Sequence, residues 1–315
     1  MNPKPEISVI VATYNQENYI GRTLGSIVMQ ECDFNIEVLV GDDASLDKTG
    51  SIVLEYAANY PNLILPFRRK KNLGAYKNTL DLVTRAQGEF IAFLEGDDFW
   101  LDRRKLQKQR DFLKRNPEFC ATFGRVIVVD EQGNRRREVE EYLSFFKGRE
   151  FTVNDFNAYL LPGQTATALY RRKDLTRLIS MQVENPKLRP RLIPVIDRFL
   201  VLEIMSLGRI KVSEDVLAAY RYINKEGGTS WSSKHDGYSL GNIVYYLYGM
   251  HELERIGKQL GLPVDFDDRR RYEIKKAKGL KKELPFVKYC LIRFFIWLWY
   301  KKKKPLLVGK NKENL

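Results

Sequence analysis

An α/β fold built on a mostly parallel sheet is the class this chain predicts, and three observations carry the prediction. Short apolar runs alternate with amphipathic stretches of helical length through the first half of the 315 residues, the pattern of successive βαβ units. The runs are nearly uninterrupted and rich in β-branched residues, as strands covered on both faces are. Acidic and polar clusters come directly after the runs, and in open α/β sheets ligands collect beyond strand C-terminal ends.

Ile7 to Ala12 is the first strand, and Gln16 to Gln30 a helix with Ile20, Leu24, Ile27 and Val28 on one face. Ile36 to Val40 is the second strand, Asp47 to Tyr60 a helix stopped before Pro61, and Leu63 to Leu65 a short third strand. Ala75 to Ala86 forms a helix ended near Gly88, followed by the strand Phe90 to Leu94. Further on, Ala121 to Arg137 is hairpin-like around a Gly133-Asn134 turn, and Gly163 to Arg171 reads as a buried strand. Val195 opens an apolar helix closed by Gly208.

Glu95-Gly96-Asp97-Asp98 sets three carboxylates just past the fourth strand. Adjacent carboxylates repel and raise each other's pKa unless a cation neutralises them, so a divalent metal is expected here. A hard cation in turn implies a phosphate-bearing ligand. Thr13-Tyr14-Asn15 and Asp42-Asp43-Ala44-Ser45 end the first two strands and converge on the same crevice. No GxGxxG follows the first strand and no GxxxxGK precedes a Ser or Thr, which excludes a dinucleotide-binding Rossmann site and a P-loop. Asp42 to Ser45 also lacks the DxDx(T/V) spacing of an aspartate-nucleophile phosphatase.

Composition, 44% hydrophobic and 30% charged, suits one large domain with appendages. Cys32, Cys120 and Cys290 are scattered, with no CxxC and only two histidines, which argues against disulfides or a zinc site and for a reducing compartment. The N-terminus runs into a strand with no apolar signal segment, so a cytoplasmic location is expected. The net charge of +13 lies in the tail, where residues 269–315 carry 16 Lys/Arg against three Glu, leaving 37 basic and 37 acidic residues elsewhere. Pro285 to Tyr300 is apolar and aromatic, is interrupted by Lys288 and Arg293, and meets Lys301 to Lys304. It is short of the ~20 residues of a membrane span and reads as an interfacial helix on an anionic, cytoplasmic-side membrane surface, through 285–315. The alternative is a core helix followed by a solvated charge run. The aromatics cluster instead of interleaving with the charges, so no nucleic acid is expected as a partner.

Val9 to Asn15 (VIVATYN), Val38 to Thr49 (VLVGDDASLDKT), Asn72 to Asn78 (NLGAYKN) and Leu94 to Trp100 (LEGDDFW) stand in the order and spacing of the family 2 glycosyltransferases, which the chain resembles over about residues 7–235. The resemblance implies a GT-A fold, with a Rossmann-like central sheet flanked by helices, here carrying a C-terminal helical extension. It implies transfer of a sugar from a nucleotide diphosphate donor, a UDP-sugar by the family habit, to a glycan or lipid-linked acceptor hydroxyl. Inversion at the anomeric carbon and assistance by Mn2+ or Mg2+ come with it, as does a bacterial surface-polysaccharide type. On this basis residues 1–120 form a nucleotide-sugar-binding half, 121–235 an acceptor and catalytic half, and 236–315 the basic extension.

By the same resemblance Ala12, Tyr14, Asp43, Gly74, Asn78 and Asp97 bind the nucleotide, and Asp98 binds the metal. Tyr14 offers a ring for base stacking, the alternative being a half-buried surface tyrosine. Asp43 matches the carboxylate that accepts the uracil N3–H. Asp42 is read as a turn acid and Ser45 to Thr49 as a helix start. Gly74 and Asn78 lie near ribose and diphosphate, with Lys77 a solvated side chain. Glu95 stands where many relatives have Asp, which leaves its contact open between donor and metal. Asp197, in the first turn of its helix, matches the family's general base, although a carboxylate there also serves the helix dipole. Asp155 and Asp174 read as helix starts.

Relatives place a His after the Tyr-Arg pair that here is Tyr220-Arg221, but this chain continues Tyr222-Ile223-Asn224. Arg221, Asn224 and Lys225 are then the candidates for the diphosphate, and Gly227 to Trp231 a loop that orders over bound donor. Two other functions stay open on the sequence: a non-catalytic sugar-nucleotide-binding scaffold on the same fold, and a nucleic-acid-binding protein acting through the tail.

Overall fold

The computed structural model describes residues 4–140, 145–189, 196–223 and 240–279. The first half runs β1 (Ile7–Thr13), α1 (Ile20–Val28), β2 (Ile36–Asp42), α2 (Thr49–Asn59), β3 (Ile64–Arg68), α3 (Ala75–Arg85) and β4 (Phe90–Glu95). Then come β5 (Phe99–Trp100), α4 (Lys105–Arg115), β6 (Phe119–Val129), α5 (Arg137–Glu140), β7 (Glu150–Phe151), α6 (Val153–Asn157) and β8 (Leu169–Arg171). The described part closes with α7 (Arg172–Glu184), α8 (Ile196–Met205), β9 (Arg209–Arg221), α9 (Leu240–Gln259) and α10 (Asp267–Gly279).

The strands form one sheet in the order β3-β2-β1-β4-β8-β6-β9-β5, with β7 also paired to β9. Strands β3, β2, β1 and β4 are mutually parallel, and β6 and β9 are parallel. Strand β8 runs antiparallel to both β4 and β6 and joins the two blocks. Successive residues of a strand point to opposite faces, and both faces are covered here. Val9, Val11, Val38, Val40 and Leu94 pack with Leu24 of α1, Val53 of α2 and Leu106 of α4. Ile10, Leu39, Ile91 and Phe93 pack on the other side with Leu82 of α3, Leu175 of α7, Leu202 of α8 and Leu253 of α9. Strands clothed on both sides have no polar face to alternate with, hence the continuous apolar runs.

Two expectations change. Only Leu169 to Arg171 of the stretch from Gly163 is strand, because Thr165–Thr167 coils into a 3₁₀ turn before it. The hairpin around Gly133, which has φ +92°, amounts to a single antiparallel bridge between Val129 and Arg135, because β6 takes β9 as its parallel partner instead. Asp155 completes a capping box with Thr152 at α6, and Asp174 lies in the first turn of α7. No helix among the described residues is long and apolar enough to cross a membrane.

Candidate functional site: an acidic crevice at the strand ends

From β1 the chain moves outward to β2 and β3, then returns to place β4 on the other side of β1. The reversal opens a crevice beyond the C-terminal ends of β1 and β4, where such sheets bind ligands. Ala12, half-buried, is paired across to Gly41 and Glu95 at this point. The adjoining loops are locked together. Asn15 and Ala44 adopt left-handed backbone conformations, with φ of 52° and 64°, a strain that persists where surroundings over-determine it. The Asn15 amide donates to Ser45 Oγ at 3.0 Å, and the Leu46 amide to Asn15 Oδ1 at 2.8 Å. Tyr14 sits half-buried beside them.

The acidic segment is held from behind. Thr23 Oγ1 donates to the carbonyls of Gly96 and Asp98 at 2.9 and 2.7 Å. Gly96 has no room for a side chain, since a Cβ there would lie 2.6 Å from Thr13 Oγ1 and collide with the Gln16 amide. Asp98 is 1% exposed. Its Oδ1 accepts the Arg221 backbone N–H at 2.8 Å and its Oδ2 the Gln164 amide at 3.1 Å. Asp97 and Glu95 are half-buried. Glu95 Oε2 meets no hydrogen-bond donor among the described residues.

Burial pushes the Glu95 carboxyl up to about 8, with the charges of Asp197 and Asp97 adding to it and the Gln164 amide opposing. Asp98 is raised well above the carboxylate range by burial and by Asp97 and Glu95. Asp97 is raised by burial, against the pull of Arg221 and Gln16. The three do not bring one oxygen each within 4.8 Å of one another, as Glu254, Asp265 and Asp267 do, but they repel one another and one keeps an orphaned buried oxygen, a chemistry that suits a divalent cation. Asp97, Asp98 and Glu95 are thus the residues able to hold one.

Asp197 arrives from the other half of the chain, in the first turn of α8. It is open to solvent in the crevice, yet enough protein surrounds it that burial raises its pKa, with the Thr165 hydroxyl and Arg198 acting the other way. Arg198 anchors that turn, donating to the carbonyls of Tyr159 and Leu160 at 3.0 Å each. Tyr220 of β9 has its phenol pushed up by burial and by Asp98, Asp97, Asp197 and Glu95 together, so the acids share one neighbourhood.

Asp43 is nearly inaccessible and clasps the loop before α3, its two oxygens accepting the Leu73 and Gly74 amides at 2.8 and 2.9 Å. Each oxygen keeps a lone pair for a further donor. Gly74, at φ +85° with open space around it, needs glycine for its backbone conformation. Asp42 is a turn acid, its Oδ1 accepting the Ser45 amide at 3.0 Å.

Two of the residues expected at the ligand are engaged within the protein. Asn78 is 1% exposed, and its amide is taken up by Gly41 O at 2.8 Å and Arg69 Nε at 3.0 Å, so it braces the loop from below. Arg221 is 3% exposed. Its guanidinium donates to the carbonyls of Asp97, Asp130 and Glu131 and lies over the Tyr19 ring at 4.6 Å, a buried brace behind the acidic loop. Asn224, Lys225, the loop 227–231 and the tail 285–315 lie outside the described residues. Gln16, Gln164 and Thr165 escaped the sequence analysis. Their one signal was polarity, Gln16 next to the TYN motif and QTAT at the head of an otherwise apolar run.

Two other features lie apart from the crevice. Glu254, Asp265 and Asp267 bring carboxylate oxygens within 4.8 Å of one another, but the buried Arg270 pairs with Glu254 at 2.6 Å and Asp267 at 2.5 Å, which makes an ion-pair cap for α10. A concavity of about 280 Å³ lined by Glu89, Arg171, Arg172, Lys173 and Thr176 lies at the far end of β4, where Arg171 is engaged by backbone carbonyls.

The profile of Glycosyl transferase family 2 matches residues 8–178. A Mycobacterium tuberculosis protein, Rv1520, is 35% identical over 215 residues, 68% of this chain and 58% of that one, so the chain spans less than two thirds of that relative. The poly(ribitol-phosphate) beta-N-acetylglucosaminyltransferase TarS of Staphylococcus aureus is 29% identical over 234 residues, 73% of this chain and 37% of TarS. Among solved structures, S. aureus TarS 1-349 in complex with UDP-GlcNAc superposes with a TM-score of 0.61 at 22% identity, covering 90% of this chain and 77% of that one. The mannosyltransferase PcManGT from Pyrobaculum calidifontis, in complex with GDP-Man and Mn2+, gives 0.54 at 20% identity, covering 94% and 81%. At such identities the superpositions establish the fold. The match over residues 8–178 establishes the family, and the chain belongs to glycosyl transferase family 2.

Proposed function

We propose that this chain is an inverting glycosyltransferase that moves a sugar from a UDP-sugar to a hydroxyl of a glycan or lipid-linked glycan. The observation that carries the proposal is the acid cluster beyond β4, held by the Arg221 amide and Gln164, beside a separate carboxylate, Asp197, at the start of α8, whose charge is felt at Glu95. Family membership and solved relatives holding UDP-GlcNAc, or GDP-Man with Mn2+, support a nucleotide-sugar donor and a divalent ion.

Asp43 accepts the base N–H, Tyr14 stacks on the base for ~1–3 kcal/mol, and Ala12 and Gly74 let backbone approach the nucleotide. Asp97 orients the ribose. Bound at Asp98 with Glu95 and Asp97 beside it, Mn2+ or Mg2+ would supply Lewis-acid neutralisation of the departing diphosphate. Inverting displacement needs a base across the anomeric carbon from the leaving group. Asp197, oriented by the Thr165 hydroxyl, takes the acceptor proton, and its raised pKa makes it a stronger base than an ordinary carboxylate. Residues 121–235 build the acceptor side, and the cationic 285–315 hold the enzyme on an anionic membrane.

Calorimetric titration of UDP in Mn2+, in EDTA and with Asp98→Asn tests the donor site. Metal-dependent binding that the variant loses is expected. Equal binding in EDTA, or in the variant, would overturn the metal assignment, and no binding in Mn2+ the uridine assignment.

A further inference from the structure

The residues from Gln164 to Ala168 touch both chemical ends of the crevice. Gln164 Nε2 donates to Asp98 Oδ2 at 3.1 Å, and the neighbouring residue, Thr165, has its hydroxyl near enough to Asp197 to favour that residue's charged form. Two adjacent residues therefore join the acids of the donor side to the base.

The backbone beneath them is unusually well restrained. The Gln164 carbonyl accepts the Thr167 amide at 2.9 Å and its hydroxyl at 2.7 Å, and the Thr165 carbonyl accepts the Ala168 amide at 3.0 Å. The next three carbonyls are held by buried side chains of one short segment. Trp100 Nε1 donates to Ala166 O at 2.8 Å, Gln109 Nε2 to Thr167 O at 2.9 Å, and Lys105 Nζ to Ala168 O at 3.2 Å. Lys105 is 0% exposed, its Nζ also held by Gln109 Oε1 at 2.8 Å and lying 4.5 Å from the Trp100 ring centroid. A lysine and a glutamine turned inward at the start of a surface helix are costly unless their bonds are made. Here they end on a loop that carries no core side chain larger than a threonine beyond Gln164. Core packing alone does not ask for such polar groups, whereas fixing a loop's carbonyls to a rigid helix does.

We propose that Gln164 to Ala168 is a positioning strap that sets the distance between the donor-side acids and the base, and that Trp100, Lys105 and Gln109 hold it to the scaffold. The inference rests on the transferase function proposed above. Gln164 and Thr165 are its two jaws, and Gln109 acts on the reaction only through them.

The full chain is tested with three single substitutions, each measured for Mn2+-dependent UDP binding by calorimetry and for release of UDP from UDP-GlcNAc, UDP-glucose or UDP-galactose, whichever the wild type hydrolyses fastest. Thr165→Val removes the hydroxyl at constant shape and is expected to lower kcat about tenfold or more, the worth of a hydrogen bond to a charged group, with UDP affinity unchanged. Thr165→Ser keeps the hydroxyl and restores the rate. Gln109→Leu lowers kcat in the same sense with UDP affinity unchanged. Wild-type kcat in folded Thr165→Val, or rates in Gln109→Leu that fall only in step with UDP affinity or thermal stability, would overturn the strap while leaving the transferase intact. Should Gln109→Leu not fold, the Val and Ser pair at 165 decides. A wild type that neither binds UDP nor hydrolyses any of the donors overturns the transferase function and the strap together.

Discussion

Replacing Asp197 by Asn separates catalysis from donor binding. The substitution keeps shape and removes the basic oxygen. Arg198 stays anchored on the Tyr159 and Leu160 carbonyls, and the Thr165 hydroxyl can donate to the new amide oxygen, so the turn survives. The stability cost is then the lost charge at the N-terminus of α8, ~0.3–1 kcal/mol, a change of few degrees in Tm. Positioned general bases are worth ~10²–10⁴-fold, so kcat for transfer or donor hydrolysis should fall by that factor, ~3–5 kcal/mol of barrier. UDP binding should move the other way. The Asp197 charge is one of the causes raising Glu95 to about 8, and its removal lets Glu95 ionise more readily near neutral pH, which favours a cation. Calorimetry of UDP with Mn2+ at neutral pH and single-turnover donor hydrolysis give both quantities. Retention of most of the wild-type rate, or loss of UDP affinity in parallel with rate, would refute the assignment of Asp197 as the base.

Three further outcomes are expected. Glu203 of α8 is 6% exposed, and burial raises it from an ordinary 4.5 to about 7 against the bond from Gln182. The folded state therefore holds a proton that the unfolded chain releases, and stability falls as pH rises from about 4.5 through about 7. Glu203→Gln should flatten that slope and gain on the order of 3 kcal/mol at most above it, and a Tm-against-pH profile identical to wild type would contradict this. Gly96→Ala drives a methyl to within 2.6 Å of Thr13 Oγ1, an overpacking cost of ~1–3 kcal/mol, and should abolish metal-dependent UDP binding; unchanged calorimetry would count against the tight loop. Deleting 285–315 should release the protein from anionic vesicles in a sedimentation assay and leave UDP binding intact, whereas unchanged sedimentation excludes the tail as the anchor.

Periodicity made the first half legible. Strands β1, β2 and β4 and helices α1 to α3 fall within a few residues of their expected places, because strands buried on both faces and helices with one apolar stripe leave a local record in sequence. The acidic cluster after β4 and the loops after β1 and β2 meet where strand polarity puts them, at the ends of parallel neighbours. Asp197 could be named as a helix-start acid from local pattern, and its role rested on resemblance.

Tertiary structure alone decided what depends on partners far along the chain. Gln164 and Asp98 are 66 residues apart, and the Arg221 amide reaches Asp98 across 123; no repeat or spacing encodes such pairs. The direction of β8 and the 3₁₀ turn before it follow from β8 lying between β4 and β6, a choice of neighbour that a short apolar run does not specify. Asn78 and Arg221 carry ligand-binding residue types, yet Asn78 is bonded to the Gly41 carbonyl and the Arg69 guanidinium, and Arg221 to three backbone carbonyls, partners that approach only in the folded chain. A polar side chain's type announces that it will find a hydrogen-bond partner, and only the packing of distant segments determines whether that partner is the protein or a ligand.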